Sequence, residues 1–296
     1  MRWKKITIVG MGLLGGSLGL VARKKRLAGE VAAYVRRPQS IKECERAGAA
    51  DYATTDLLAA VSNADLVILC TPLAQMESLV KQMLPALKRG AIVTDVGSVK
   101  GSVVKDVEAM IAKTGAHFVG SHPMAGGEMQ GVLAARADLF ECAVCVVTPT
   151  KKSNRSAVGK VQKLWKSVGG RVINLTPEIH DSLVSRSSHL PHIVAAALAS
   201  AILDPKHPKQ IATLCATGFC DTTRIASGSP EMWRDILLAN REALRLTLDE
   251  FVRELQQVQA LLRKKRKNAG KIQKFFEQAK SRRDKWSAQC VSPSEE

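Results

Sequence analysis

The chain has 296 residues, 46% of them hydrophobic and 24% charged, with a formal net charge of +17. This length can hold two domains with separate cores, and the composition is globular, not disordered. There is no run of 18 or more apolar residues, so a membrane span is not expected. Much of the charge excess is local: residues 263–285 hold eleven Lys/Arg against Glu277 and Asp284. A solvated basic helical end accounts for it more simply than a nucleic-acid surface. The rest of the chain is moderately basic, which suits anionic ligands. The seven cysteines are scattered, and the one CxxC, Cys142 to Cys145, lies in the strand-like run CAVCVVTP. They read as buried or incidental thiols of a reducing compartment, so a cytoplasmic location is expected.

In chain order, ITIV (6–9) reads as a first strand, not as the apolar core of a signal peptide. GMGLLGGSLGLVARKK follows with apolar residues at helical spacing. VAAYV (31–35) is a second strand and SIKECERAGA a helix, with LLAAVSNA a weaker one. LVILCTP (66–72) is a continuous apolar run, the pattern of a parallel strand buried on both faces. A helix over LAQMESLVKQMLPAL, a strand over AIVTDV (91–96), a helix over SVVKDVEAMIAKTG and a strand over HFVGSHP come next. CAVCVVTP (142–149) is a further strand, followed by a helix over 155–168 and the segment GGRVINL. Strands alternating with helices predict βαβ units in a parallel sheet.

Beyond about residue 175 no strand pattern appears. SLVSRSSHLPHIVAAALASAIL is Ala-rich and helical, and EMWRDILLANREALRLTLDEFVRELQQVQALLRKKRK is one long amphipathic helix or a closely spaced pair. The expected division is 1–175, 176–262, and a basic extension over 263–296 whose last residues are disordered. An amphipathic helical unit of this kind buries its apolar face well against a second copy, which predicts a homodimer.

Gly10-Met-Gly12-Leu13-Leu14-Gly15 directly follows the first strand and opens a helix. Glycines there permit a tight turn, close approach of backbone to a pyrophosphate, and helix–strand packing, while the helix N-terminus offers N–H donors. This is a Rossmann-like dinucleotide fingerprint. Thr71 and Pro72, ending the LVILCTP strand, are assigned to the same cofactor site. The position that would carry an acid for the ribose 2′-hydroxyl of NAD is Val35, followed by Arg36 and Arg37. Two guanidiniums pair with a 2′-phosphate, which favours NADP; exposed loop charges and use of either cofactor are the alternative.

VTDVGSVKG and FVGSHPMAGGEMQGV each end an apolar run in a Gly/Ser-rich turn, one holding Ser98 and the other His122. Ligands bind at the carboxyl ends of strands in open α/β sheets. An imidazole there is suited to take a hydroxyl proton as hydride leaves the same carbon. His122 is the candidate base. Ser98 is expected to bond the same hydroxyl or to orient the His.

GMGLLGGSL, DVGSVKG, GSHPMAGGEMQGV, SSHLPH and GFCDTTRIASGSPEMWRDI, in this order over residues 5–255, resemble the prephenate/arogenate dehydrogenases of tyrosine biosynthesis. The resemblance implies a Rossmann-like domain followed by an all-helical dimerisation domain. It also implies oxidative decarboxylation of prephenate to 4-hydroxyphenylpyruvate, or of arogenate to tyrosine, with NAD(P)+ as oxidant. By the same resemblance Arg224 would hold the ring carboxylate, although an ion pair with Asp221 is an alternative. His192 and Ser188 would reach the substrate side chain, while His189, His180 and Trp233 would pack. Gly127 lacks a hydroxyl that some relatives carry, and Cys220 stands where some have a basic residue. That puts a gating salt bridge in doubt and leaves Glu128 to face a cation such as the amino group of arogenate. A dehydrogenase of the hydroxyacid or imine-reducing type is a competing reading, though its usual Lys is missing from SSHLPH and GFCDTTRIA. A nucleotide-sensing or RNA-binding protein using the basic tail is another.

Overall fold

The computed structural model describes residues 2–127, 129–263 and 268–291. Glu128, residues 264–267 of the RKKRK run and the final residues expected to be disordered therefore lie outside the described residues.

The chain begins with β1 (Trp3–Val9), α1 (Leu13–Lys24), β2 (Ala28–Tyr34), α2 (Pro38–Ala47) and a short β3 (Tyr52–Thr54). It continues through α3 (Leu57–Val61), β4 (Leu66–Leu69), α4 (Leu73–Met83), β5 (Ile92–Asp95), α5 (Gly101–Ala112) and β6 (His117–Pro123). Then come β7 (Val144–Thr148), α6 (Arg155–Ser167) and β8 (Arg171–Asn174). The eight strands form one sheet in the order β3-β2-β1-β4-β5-β6-β7-β8. Successive side chains of a strand point to opposite faces, and β4 shows the result. Leu66 and Ile68 enter a hydrophobic cluster with Leu18, Phe140 and Trp165, while Val67 and Leu69 enter another with Met76, Val80 and Ile111. A strand buried on both faces has to be apolar throughout, as LVIL is.

The sheet is mostly parallel, as predicted, but β7 runs antiparallel to β6. The reason is the connection. Among the described residues between Pro123 and Val144 there is a 3-10 turn (Val132–Ala134) and no crossover helix. The loop leaves and re-enters at the same edge of the sheet, where Met124 N–H donates to the Val144 carbonyl at 2.7 Å. A returning strand without a crossover must be antiparallel. The register also corrects the reading of the CxxC: Cys142 sits at φ +60° ahead of β7, and only Cys145 is inside the strand. The three-residue β3 was too short to show a pattern in the sequence.

After β8 the chain is helical: α7 (Pro177–Val184), a π-helical turn (Ser185–His189), α8 (Leu190–Ile202), α9 (Gln210–Leu214) and α10 (Thr217–Thr223). A 3-10 turn (Arg224–Ser227), α11 (Pro230–Ala239) and α12 (Arg241–Leu262) follow, then α13 (Ala269–Val291). The long amphipathic stretch is thus a pair of helices, broken at Asn240. One compact unit covers Met1–Leu244, and a second begins at Arg245. The first holds the whole sheet and every residue of the site described below. Among the described residues no helix is long and apolar enough to cross a membrane.

Candidate active site

The glycine turn is built around backbone proximity. Gly10 has φ +99°, and a Cβ there would lie 2.7 Å from the Cys70 carbonyl oxygen, at the end of β4. A Cβ on Gly15 would fall 2.0 Å from the Gly10 carbonyl oxygen, so α1 closes directly onto the turn. Gly12, the N-cap of α1, has no side-chain cap, and a Cβ there would meet no protein atom. The first N–H groups of α1, those of Leu13 and Leu14 among them, have no partner within the helix. Beside Gly10, the buried Thr71 hydroxyl has no hydrogen-bond partner. Open space over a helix N-terminus, a cradle that side chains would fill and an orphaned hydroxyl together fit a dinucleotide's phosphates. Pro72 is the N-cap of α4 at the same edge. Gly10 N–H donates to the Tyr34 carbonyl at 3.0 Å, which ties the turn to the end of β2. Arg36 and Arg37, both exposed, follow the buried Val35.

His122 is the second-to-last residue of β6 and is 8% exposed. Its Nδ1 is 2.9 Å from His180 Nε2, and His180 Nδ1 is 2.7 Å from Asp181 Oδ1. The protons along this chain follow from its far end. An ionised carboxylate only accepts, so His180 carries its proton on Nδ1 and accepts at Nε2. His122 then donates from Nδ1, and its Nε2 keeps a free lone pair. Asp181 is itself anchored, accepting from the backbone N–H groups of Lys100 and Gly101 at 2.8 Å each, at the start of α5. Burial holds the His122 pKa well below the ordinary 6.5, with the neighbouring His180, Lys100 and His189 adding to the effect. His122 is therefore a neutral imidazole at neutral pH, with its basic nitrogen available.

His180 was expected only to pack. It is fully buried, yet it is the hydrogen-bond partner of His122. It escaped notice because 58 residues separate the two, and a buried helical histidine carries no sequence signal of its partner. The hydrogen bond that His122 makes through Nδ1 is thus to His180. Ser98 is half-buried in the loop between β5 and α5, at the strand end next to that of β6. Its side chain enters no described hydrogen bond with His122.

On the helices, His192 donates from Nδ1 to the Ser188 carbonyl at 2.9 Å, leaving Nε2 as an acceptor. Its ring stacks on Trp233, with centroids 3.7 Å apart. Burial lowers the His192 pKa, and Arg224 lies near enough for its charge to lower it further. Ser188 is part of the π-helical turn between α7 and α8. This turn changes the phase of one continuous helical rod, which carries His180 and Asp181 before it and His192 after it. His189 does pack, edge-on to Trp233, with its pKa pushed down to about 4 by burial. Its Nδ1 accepts from Asn240 at 3.1 Å. The opposite loop is close to the cofactor turn: a Cβ on Gly127 would lie 3.3 Å from Leu13.

Residues 18–174 match the family model for the prephenate dehydrogenase nucleotide-binding domain, and residues 176–280 match that for the prephenate dehydrogenase dimerization domain. A prephenate dehydrogenase of Bacillus subtilis is 34% identical over 94% of this chain and 75% of its own. A crystal structure of prephenate dehydrogenase from A. aeolicus, in complex with hydroxyphenyl propionate and NAD+, superimposes with a TM-score of 0.89 at 33% identity. It covers 96% of this chain and 99% of that one. Synechocystis arogenate dehydrogenase gives a TM-score of 0.80 at 29% identity over 95% of this chain and 99% of that one. With both domain models matched in succession and the site geometry in place, the chain belongs to the prephenate dehydrogenase family.

Proposed function

We propose that this protein catalyses the NAD(P)-dependent oxidative decarboxylation of prephenate or arogenate, with His122 as the base. The observation that carries this reading is the Asp181–His180–His122 chain, which leaves His122 Nε2 unprotonated at a strand end on the same edge of the sheet as the glycine turn. Gly10, Gly12, Leu13, Leu14, Gly15, Thr71 and Pro72 would hold the cofactor. When bound, the oxidised nicotinamide supplies the hydride acceptor for the carbinol carbon of the ring. His122 takes the hydroxyl proton at Nε2, and Ser98 bonds the same oxygen. The resulting ketone is conjugated to the carbon bearing the ring carboxylate. Breaking the bond to CO2 sends its electron pair through the ring to the oxygen, which recovers a proton from His122 as the ring becomes aromatic.

The substrate's carboxylates require cations and donors. Arg224 takes the ring carboxylate, where a guanidinium can bond in bidentate fashion. His192, held flat by Trp233, and Ser188 meet the side chain; Glu128, outside the described residues, is the carboxylate assigned to an amino group where one is present. Arg36 and Arg37 would pair with a 2′-phosphate, so NADP is the preferred cofactor and NAD the alternative. A homodimer is supported by the matched dimerization model and by exposed Leu246, Leu255 and Leu262 on α12. The test is initial-rate reduction of NADP+ and NAD+ with prephenate and with arogenate in parallel. Turnover with either substrate supports the assignment, and no turnover with any of the four pairs refutes it.

A further inference from the structure

The structure contains a buried ion pair that the mechanism above does not use. Asp95, the last residue of β5, and Lys100, the N-cap of α5, are both fully buried, and the Lys100 ammonium donates to Asp95 Oδ2. Isolating an ion pair from water is costly and seldom favours folding over an apolar pair of similar size. Its partners indicate another use.

The parallel ladder between β5 and β6 ends at Thr94 and Val119. Strand β6 continues to Pro123, so the β5-facing edge of its last residues has no strand beside it. At Ser121, the residue before His122, side chains replace the ladder. Ser121 N–H donates to Asp95 Oδ1 at 3.1 Å, and its carbonyl accepts from Lys100 Nζ at 2.8 Å. The Ser121 hydroxyl donates to the Asp95 carbonyl at 2.6 Å. Asp95 Oδ2 also accepts from Gly97 N–H at 2.9 Å, and Gly97 precedes Ser98. One ion pair thus holds the backbone on which His122 is mounted and the turn on which Ser98 is mounted. The Lys100 backbone N–H meanwhile holds Asp181, the far end of the histidine chain.

We propose that Asp95 and Lys100 are positioning residues, a charged clamp that replaces the missing strand and fixes His122 and Ser98 relative to each other. The inference rests on the reading of His122 as the base. Lys100 also has an electrostatic effect: its charge is one of the influences keeping His122 neutral.

The experiment compares wild type, Lys100→Met, Asp95→Asn and His122→Asn in the full-length enzyme, measuring kcat, both KM values, NAD+ affinity and the pH profile. Lys100→Met is expected to lower kcat by about 30-fold or more while NAD+ affinity and both KM values stay within about threefold. Its acid limb should move upward in pH. Asp95→Asn places a donor opposite a backbone N–H but leaves Lys100 bonded to the Ser121 carbonyl, so it should lose less, about fivefold to tenfold. If Lys100→Met does not fold, Asp95→Asn decides alone through the same split between kcat and KM. Wild-type kcat and an unmoved acid limb in whichever variant folds would overturn the clamp, as would losses confined to KM. Failure of the underlying reading is separable, because full turnover by His122→Asn removes the base whatever the clamp variants do.

Discussion

The cofactor turn and the proton chain lie at the same edge of one sheet, yet they are built in opposite ways. The turn is local and made of backbone: Gly10, Gly12 and Gly15 fall within six consecutive residues, and what matters is that they have no side chains. The proton chain is made of side chains gathered from far apart. His122 and His180 are 58 residues apart, and Lys100 and Asp181 are 81 apart. A turn of the first kind fails when an atom is added. A chain of the second kind fails when a proton or a partner is moved.

The largest effect should come from the end of the chain. His122→Asn keeps a polar group but no base, and turnover should fall by about two to four orders of magnitude with cofactor affinity unchanged. A smaller loss would mean that another group takes the proton. His180→Phe preserves the packing but frees the His122 tautomer, so kcat should drop by about 10- to 100-fold with KM little altered. A KM effect alone would reduce His180 to a packing residue after all. On the other side of the comparison, Gly15→Ala drives a Cβ against the Gly10 carbonyl oxygen. Cofactor KM should rise by about tenfold or more, roughly 1.4 kcal/mol of binding, while the shape of the pH profile stays as in wild type. Val35→Asp with Arg36→Ile should shift preference from NADP toward NAD by about tenfold, and an unchanged ratio of the two kcat/KM values would refute the 2′-phosphate pairing.

The gentlest test is pH. With His122 as the proposed base, its neutral imidazole is the active form, and burial depresses its pKa. It is therefore fully present above the ordinary value of 6.5 and is lost only as pH falls through the lower folded value. The acid limb of kcat/KM should lie below pH 6.5 in the wild type and move up toward it in variants that open the site to water. A wild-type limb at or above 6.5 would contradict the burial seen here.

How much could be read in advance follows from the same contrast. The strands and helices of the first 175 residues were legible because burial on two faces dictates apolar runs such as LVIL, and helix faces dictate spacing. The placing of Ser98 and His122 at neighbouring strand ends was legible because each stands in a Gly/Ser-rich segment that ends an apolar run. The antiparallel β7 was not, since a long loop gives no sign of which way the chain returns. Nor was the Cys142 turn, which looked like strand.

The amino-acid sequence by itself determined the alternating α/β order, the glycine turn and the family resemblance, because those depend on neighbours within one turn or one strand. The tertiary structure alone decided which histidine His122 would face, where Asp181 would be anchored, and that Asp95 and Lys100 would meet across the end of a strand. Those contacts join residues whose types are common and whose spacing is arbitrary. Their specificity comes from burial, because away from water a donor or charge without a partner is costly, and the fold selects the arrangements that pair these particular groups.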